Sequence, residues 1–211
     1  MCEPAFPQIY KPEIISSDST GVTLELSVGN FSVNMKEIDG RNYHLISYND
    51  CSYTSEVGKP LLPIFPATIG IPPNASIAIN LIDTQFSEIG GYLPYPVPKK
   101  VIKSSDFSSN IDGANNRIES LVDSFTIDDR FYGKNVVYPS ETVSLSYQGY
   151  IRNQRIASLE FHPIQYNPAT RMLRKYKKII AKVNFTTNKS APYYSAALKP
   201  DKEFELSLIH I

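Results

Sequence analysis

The chain has 211 residues, 42% hydrophobic and 20% charged, which is apolar material for one sizeable core and excludes both a disordered chain and a disulfide-stapled miniature. Lysine plus arginine and aspartate plus glutamate number 21 each, so the net charge is zero and no global basic field exists to hold nucleic acid or an anionic membrane. No apolar run reaches the roughly 18 residues of a spanning helix, and Met1-Cys2-Glu3-Pro4 carries neither the basic nor the apolar region of an export signal.

In chain order, residues 1–20 read as an N-terminal extension, with Cys2 in it; a Cys2 to Cys51 bridge and two unpaired thiols both stay open. Strands are predicted over Gly21 to Val28, with Val22, Leu24 and Leu26 on one face, and over Phe31 to Ile38, with Phe31, Val33 and Met35 on one face. Tyr43 to Ser47, Ile64 to Ile71 and Ser76 to Phe86 follow. From Glu88 to Lys134 the pattern breaks: glycine, proline, serine and asparagine clusters mark a long loop or excursion, with a weak helical signal over Ile118 to Phe125. Strands resume over Glu141 to Tyr147, Tyr150 to Pro163 and Met172 to Thr186. The 16 prolines leave few uninterrupted helical windows, so the fold class is all-β, an antiparallel β-sandwich of jelly-roll type with a long central excursion, spanning 21–187. Residues 188–211 lose the strand period and read as a linker, and Ser207 to Ile211 as translated sequencing adapter.

Few residues point to chemistry. His44 lies seven residues before Cys51, but no Cys-protease signature surrounds either, and Asp128-Asp129-Arg130 reads as a solvated turn rather than a Ca²⁺ loop. Neither a metal nor a cofactor is expected. The basic run Arg171 to Lys178 puts Arg174, Tyr176 and Lys178 on one side of a strand and Leu173, Lys175 and Lys177 on the other, so no continuous basic stripe forms and no nucleic-acid or membrane partner is expected. Asn30, Asn74, Asn184 and Asn188 match the glycosylation acceptor pattern, which has meaning only in a eukaryotic secretory context.

Three segments go beyond composition: Gly58-Lys59-Pro60-Leu61-Leu62-Pro63, then Tyr138-Pro139 ahead of a strand, then Pro163-Ile164-Gln165-Tyr166-Asn167-Pro168 followed by Leu173 and Tyr176. Each has a structural reading. Asn167-Pro168-Ala169-Thr170 is a turn joining strand Ile156 to Pro163 with strand Met172 to Phe185, Gln165 and Tyr166 bring polar tips to it, and Pro60 and Pro63 restrict pairing on an edge.

In this order and spacing the segments resemble the N-terminal propeptide of gingipain-type cysteine endopeptidases, from about Val22 to Phe185. The resemblance implies a domain without catalytic residues of its own, an intramolecular chaperone and latency-maintaining inhibitor of a catalytic domain in the same precursor, secreted or at the cell surface. It also implies an inhibitory arginine shortly after a Lys-x-Val-Ile-like segment. Here that segment is Lys99-Lys100-Val101-Ile102-Lys103-Ser104; Ser104 occupies the arginine position, so Lys103, with Lys100 as runner-up, is the expected pocket residue. The competing class is a surface or carbohydrate-binding β-sandwich module that inhibits nothing.

Overall fold

A computed structural model describes residues 9–107 and 116–187. Its strands are β1 (Glu13–Asp18), β2 (Gly21–Ser27), β3 (Ser32–Ile38), β4 (Arg41–Ser47), β5 (Ser52–Tyr53), β6 (Pro63–Gly70), β7 (Ala75–Gly90), β8 (Lys99–Phe107), β9 (Asn116–Ser124), β10 (Val143–Ile151), β11 (Gln154–Phe161), β12 (Ile164–Asn167) and β13 (Met172–Thr187). One short helix, α1 (Asp129–Tyr132), interrupts them. All strand pairings are antiparallel, and two larger sheets form: a five-stranded sheet in which β13 pairs with β2, β12 and β7, with β1 outside β2, and a four-stranded sheet ordered β10, β11, β6, β5.

The alternation of β2 explains how these sheets meet. Val22, Leu24 and Leu26 point to one side and are buried, and they join Ile179, Ala181 and Val183 of the neighbouring β13. Across from them Phe65, Ile69, Ala157, Leu159 and Phe161 come from the second sheet, and all belong to one hydrophobic cluster. Each fully buried large aliphatic or aromatic side chain contributes about 1.5–3 kcal/mol, so this cluster dominates the stability of the fold.

Several expectations are corrected. The stretch from Glu88 to Lys134 is not a long loop: β8 and β9 pair over nine registers from Lys99↔Ser124 to Phe107↔Asn116. The helical signal over Ile118 to Phe125 falls on β9, because pairing with β8 outweighs a weak local preference. Residues Glu13–Asp18, expected within an extension, pair with β2 as β1. Of the face of Phe31, Val33 and Met35, only Phe31 packs against the core. Val33 is 37% and Met35 57% exposed, since β3 pairs only with β4 in a separate two-stranded hairpin. The turn after Asn167 joins β13 not to β11 but to β12, which lies in the other sheet. Strict alternation along β13 also fails: a register shift falls between Tyr176 and Lys178, and Leu173 and Tyr176, three residues apart in unbroken register, are both buried. Cys2, Asn188 and the tail 188–211 lie outside the described residues.

Candidate functional site

The three motif segments converge. Chain direction changes at His162-Pro163 where β11 gives way to β12, and proline's missing N–H suits such a corner. Tyr138 and Tyr166 then pair through their backbones, Tyr138 N–H donating to the Tyr166 carbonyl at 2.9 Å and Tyr166 N–H to the Tyr138 carbonyl at 2.7 Å. The Tyr138-Pro139 peptide is cis. Gln165, buried, donates its amide to the Pro139 carbonyl at 2.8 Å and accepts from Tyr176 Oη at 2.9 Å. Asn167 Oδ1 accepts from the Ala169 N–H at 3.1 Å, so the asparagine organises the turn locally. Lys59 joins this node from the first motif, its ammonium 5.3 Å from the Tyr138 ring centre and 5.6 Å from that of Phe131. Every one of these contacts is architectural, while the buried Tyr166 Oη finds no partner among the described residues.

The first motif has a second task, at the root of the β8–β9 hairpin. Gly58 has φ +81, and a Cβ there would lie 2.9 Å from the Asp128 backbone nitrogen, so only glycine fits without strain. Its N–H donates to the Val97 carbonyl at 2.9 Å and its carbonyl accepts from Asp128 N–H at 3.0 Å, which ties together the segments entering and leaving the hairpin. Leu61 N–H to Tyr95 carbonyl and Tyr95 N–H to His44 carbonyl continue the seam at 2.7 and 2.9 Å. Phe125, just past β9, packs its ring 5.3 Å from Tyr43 and 6.2 Å from Tyr95. Asp128 caps α1, accepting from Phe131 N–H at 3.1 Å, which keeps the outgoing chain in place and accounts for the acidic pair without a cation. Pro60 and Pro63 are buried at this seam rather than lying on an open edge, and Thr54 Oγ1 donates to the Pro60 carbonyl at 2.8 Å.

The hairpin thus projects from a fixed base and carries the expected inhibitory residues. Its register has no bulge, so side chains alternate strictly. Lys100, Ile102 and position 104 share one face with Leu121 and Asp123; Val101 and Lys103 share the other with Val122. Lys103 is exposed, and Lys100 is 67% exposed and pairs with Asp123 at 2.5 Å. Sequence reasoning placed Lys103 on a loop, where a shift of one residue from position 104 would be harmless. In a strand the same shift turns the side chain to the opposite face. Ile102 and Leu121 are 66% and 71% exposed, and the sequence signal for their pairing is Val101-Ile102 and Leu121-Val122 flanking a turn-rich stretch, a hairpin pattern.

The remaining candidates stay apart. His44 Nδ1 contacts the Leu93 backbone and the ring lies against Tyr92, while Cys51 Sγ accepts from the Tyr48 N–H at 3.4 Å, so each has its own local partners. Among the described residues no group of three or more His, Cys, Asp or Glu is placed to hold a metal. His162 lies in the wall of a cleft of about 560 Å³ lined also by Tyr138, Ser144 and Glu160. Its Nε2 is 3.0 Å from Ser144 Oγ, Nδ1 finds no partner among the described residues, and burial pulls its pKa down to about 4. The ring is therefore neutral at pH 7 and packs as a core side chain.

Comparison with known proteins agrees with this geometry. The Propeptide_C25 family model matches residues 7–198. Gingipain R2 of Porphyromonas gingivalis is 26% identical over 132 residues, a match that takes in 63% of this chain and 16% of that protein, so the chain spans about a sixth of its curated relative. Among solved structures, the complex of Porphyromonas gingivalis RgpB pro- and mature domains has a chain of the same fold, with TM-score 0.70 at 18% identity, covering 94% of this chain and 96% of that one. A structure described as giving insight into the zymogenic latency of gingipain K, from the same organism, follows with TM-score 0.63 at 17% identity over 86% of this chain and 94% of the other. With a family match over nearly the whole chain, on a fold organised by the motif segments themselves, this protein belongs to the Propeptide_C25 family and is a gingipain-type propeptide domain, a region that is not itself catalytic.

Proposed function

We propose that this domain assists the folding of a gingipain-type cysteine endopeptidase catalytic domain in the same exported precursor and holds it latent by placing the β8–β9 hairpin in the active-site cleft. The observation that carries this reading is the hairpin itself, projecting from a base pinned by Gly58, Val97 and Asp128. A two-stranded hairpin alone in water is marginal; rooted in this way it can occupy a cleft without being part of the core. The similar RgpB structure is a complex of pro- and mature domains, which favours the same partnership here. Two cations compete for the specificity pocket. Lys103 is adjacent to the position where the family places arginine, and Lys100 shares that position's face.

The test is titration of the purified domain against its cognate catalytic domain, with peptide substrates ending in arginine or lysine, alongside the refolding yield of the catalytic domain with and without it. Stoichiometric inhibition together with a raised yield is the expected result. Absence of both effects would leave a surface or carbohydrate-binding module as the better description.

A further inference from the structure

The two faces of the β8–β9 hairpin are unlike. On one, Val101 and Val122 are directly paired and half-buried. On the other, Ile102 and Leu121 stand directly opposite each other in the register and are 66% and 71% exposed. Directly paired residues on one face of an antiparallel ladder sit within contact distance, so these two make a single apolar pad. On one side the next pair along that face is Lys100 with Asp123, joined as an ion pair, so the charges at that border neutralise each other; on the other side the register sets Ser104 against Glu119. An apolar centre with a polar border is the composition of a protein-binding surface, where charge is depleted at the core and retained at the rim.

Resting on the latency reading above, we infer that Ile102 and Leu121 are the main anchor of the hairpin on the catalytic domain, seated by contact with an apolar wall of its cleft. The occupant is the catalytic domain because the pad lies on the hairpin that the latency reading places in the cleft, and the similar RgpB structure is a complex of pro- and mature domains. The cation on this face, Lys100, is already paired with Asp123, and Lys103 is carried on the opposite face by strand alternation. Binding through this face therefore rests on apolar contact. Such binding is weakly dependent on ionic strength, whereas a lysine docked against a carboxylate at a partly exposed site weakens as salt screens it.

The experiment measures inhibition of the cognate catalytic domain by the parent, by the double variant Ile102→Thr/Leu121→Thr, and by Leu81→Thr/Ile82→Thr as a control for exposed apolar residues elsewhere. Threonine keeps β propensity at both hairpin positions. The double variant is expected to raise the inhibition constant at least about tenfold, a loss of about 1.4 kcal/mol, with an unchanged melting temperature, while the control stays within about twofold. The parent's inhibition constant is expected to hold within about threefold up to about 0.5 M NaCl. If the double variant inhibits as tightly as the parent, the pad is not the anchor although the latency reading stands. A parent that does not inhibit at all removes the latency reading and this inference with it. Should the double variant melt early, Leu121→Thr alone decides, since a fold-retaining single variant with parental inhibition also overturns the pad.

Discussion

The node around Gln165 and Tyr166 and the hairpin of β8 and β9 are built from opposite materials. At the node the central residues are internal: Tyr166 is 1% and Gln165 3% exposed, the Tyr138 and Tyr166 backbones pair, and the Gln165 amide closes on the Pro139 carbonyl and the Tyr176 hydroxyl. On the hairpin, aliphatic side chains face outward and the charged pair beside them is exposed. A buried polar group is expensive to strand, so the node is committed to the domain's own stability. An exposed aliphatic pair contributes little to that stability and is available to a partner. The most recognisable motif of the sequence is thus the scaffold, and its least conspicuous residues are the ones placed to bind. Gly58 connects the two, since the loop that carries Lys59 to the node also pins the hairpin.

This contrast can be broken by substitution and by pH. Gln165→Ala strands the Pro139 carbonyl and the Tyr176 hydroxyl and leaves a small cavity, at a cost of about 3 kcal/mol. For a chain of this size that corresponds to a fall of about 6–12 °C in Tm, measured by calorimetry, while the folded fraction inhibits like the parent. An unchanged Tm would mean that the node does not carry the stability assigned to it.

Lowering pH acts on the same region through His162. Between pH about 6.5, where an unfolded histidine titrates, and about 4, where the buried ring titrates, the unfolded chain binds a proton that the folded one does not. Stability present above pH 6.5 is therefore lost progressively as pH falls towards 4, by about 2–3 kcal/mol from this group. Denaturant midpoints of the parent and His162→Leu at pH 7.5 and 4.5 should show a smaller acid loss in the variant. Equal losses would show that other groups set the acid sensitivity.

The turn is a smaller matter. Replacing Asn167 and Pro168 together by alanine removes the Asn167 Oδ1 to Ala169 N–H bond and proline's restriction of the unfolded chain, so the expected loss is about 1–2 kcal/mol, with inhibition weakened only through stability. A folded double variant with the parental Tm but no protease binding would make the turn a contact site.

At the small end, Lys103→Ala and Lys100→Ala should each move Tm by less than about 1 °C, because polar interactions of exposed lysines carry little stability. Their inhibition constants sharpen the contrast within the hairpin. With the outward face seated, Lys100→Ala weakens inhibition more than Lys103→Ala; the reverse order would put Lys103 in the pocket.

From the sequence alone, the strands facing the core were legible where burial imposes a two-residue period: Val22, Leu24 and Leu26 on β2 alternate cleanly because one side is packed and the other wet. The motif segments were equally legible, since proline, glycine and asparagine restrict the backbone locally whatever surrounds them. Long-range pairing decided the rest. β8 and β9 read as loop because polar, serine-rich strands bury too little to leave a period, and only their mutual register reveals which residues share a face. The same holds for Tyr176 and Lys178, set out of alternation by a register shift on β13, and for the turn at Asn167, whose strand partner is chosen by sheet membership rather than by neighbouring sequence. Local conformation follows from the residues in place, whereas the direction a side chain faces at the hairpin depends on a hydrogen-bond register that only the folded chain defines.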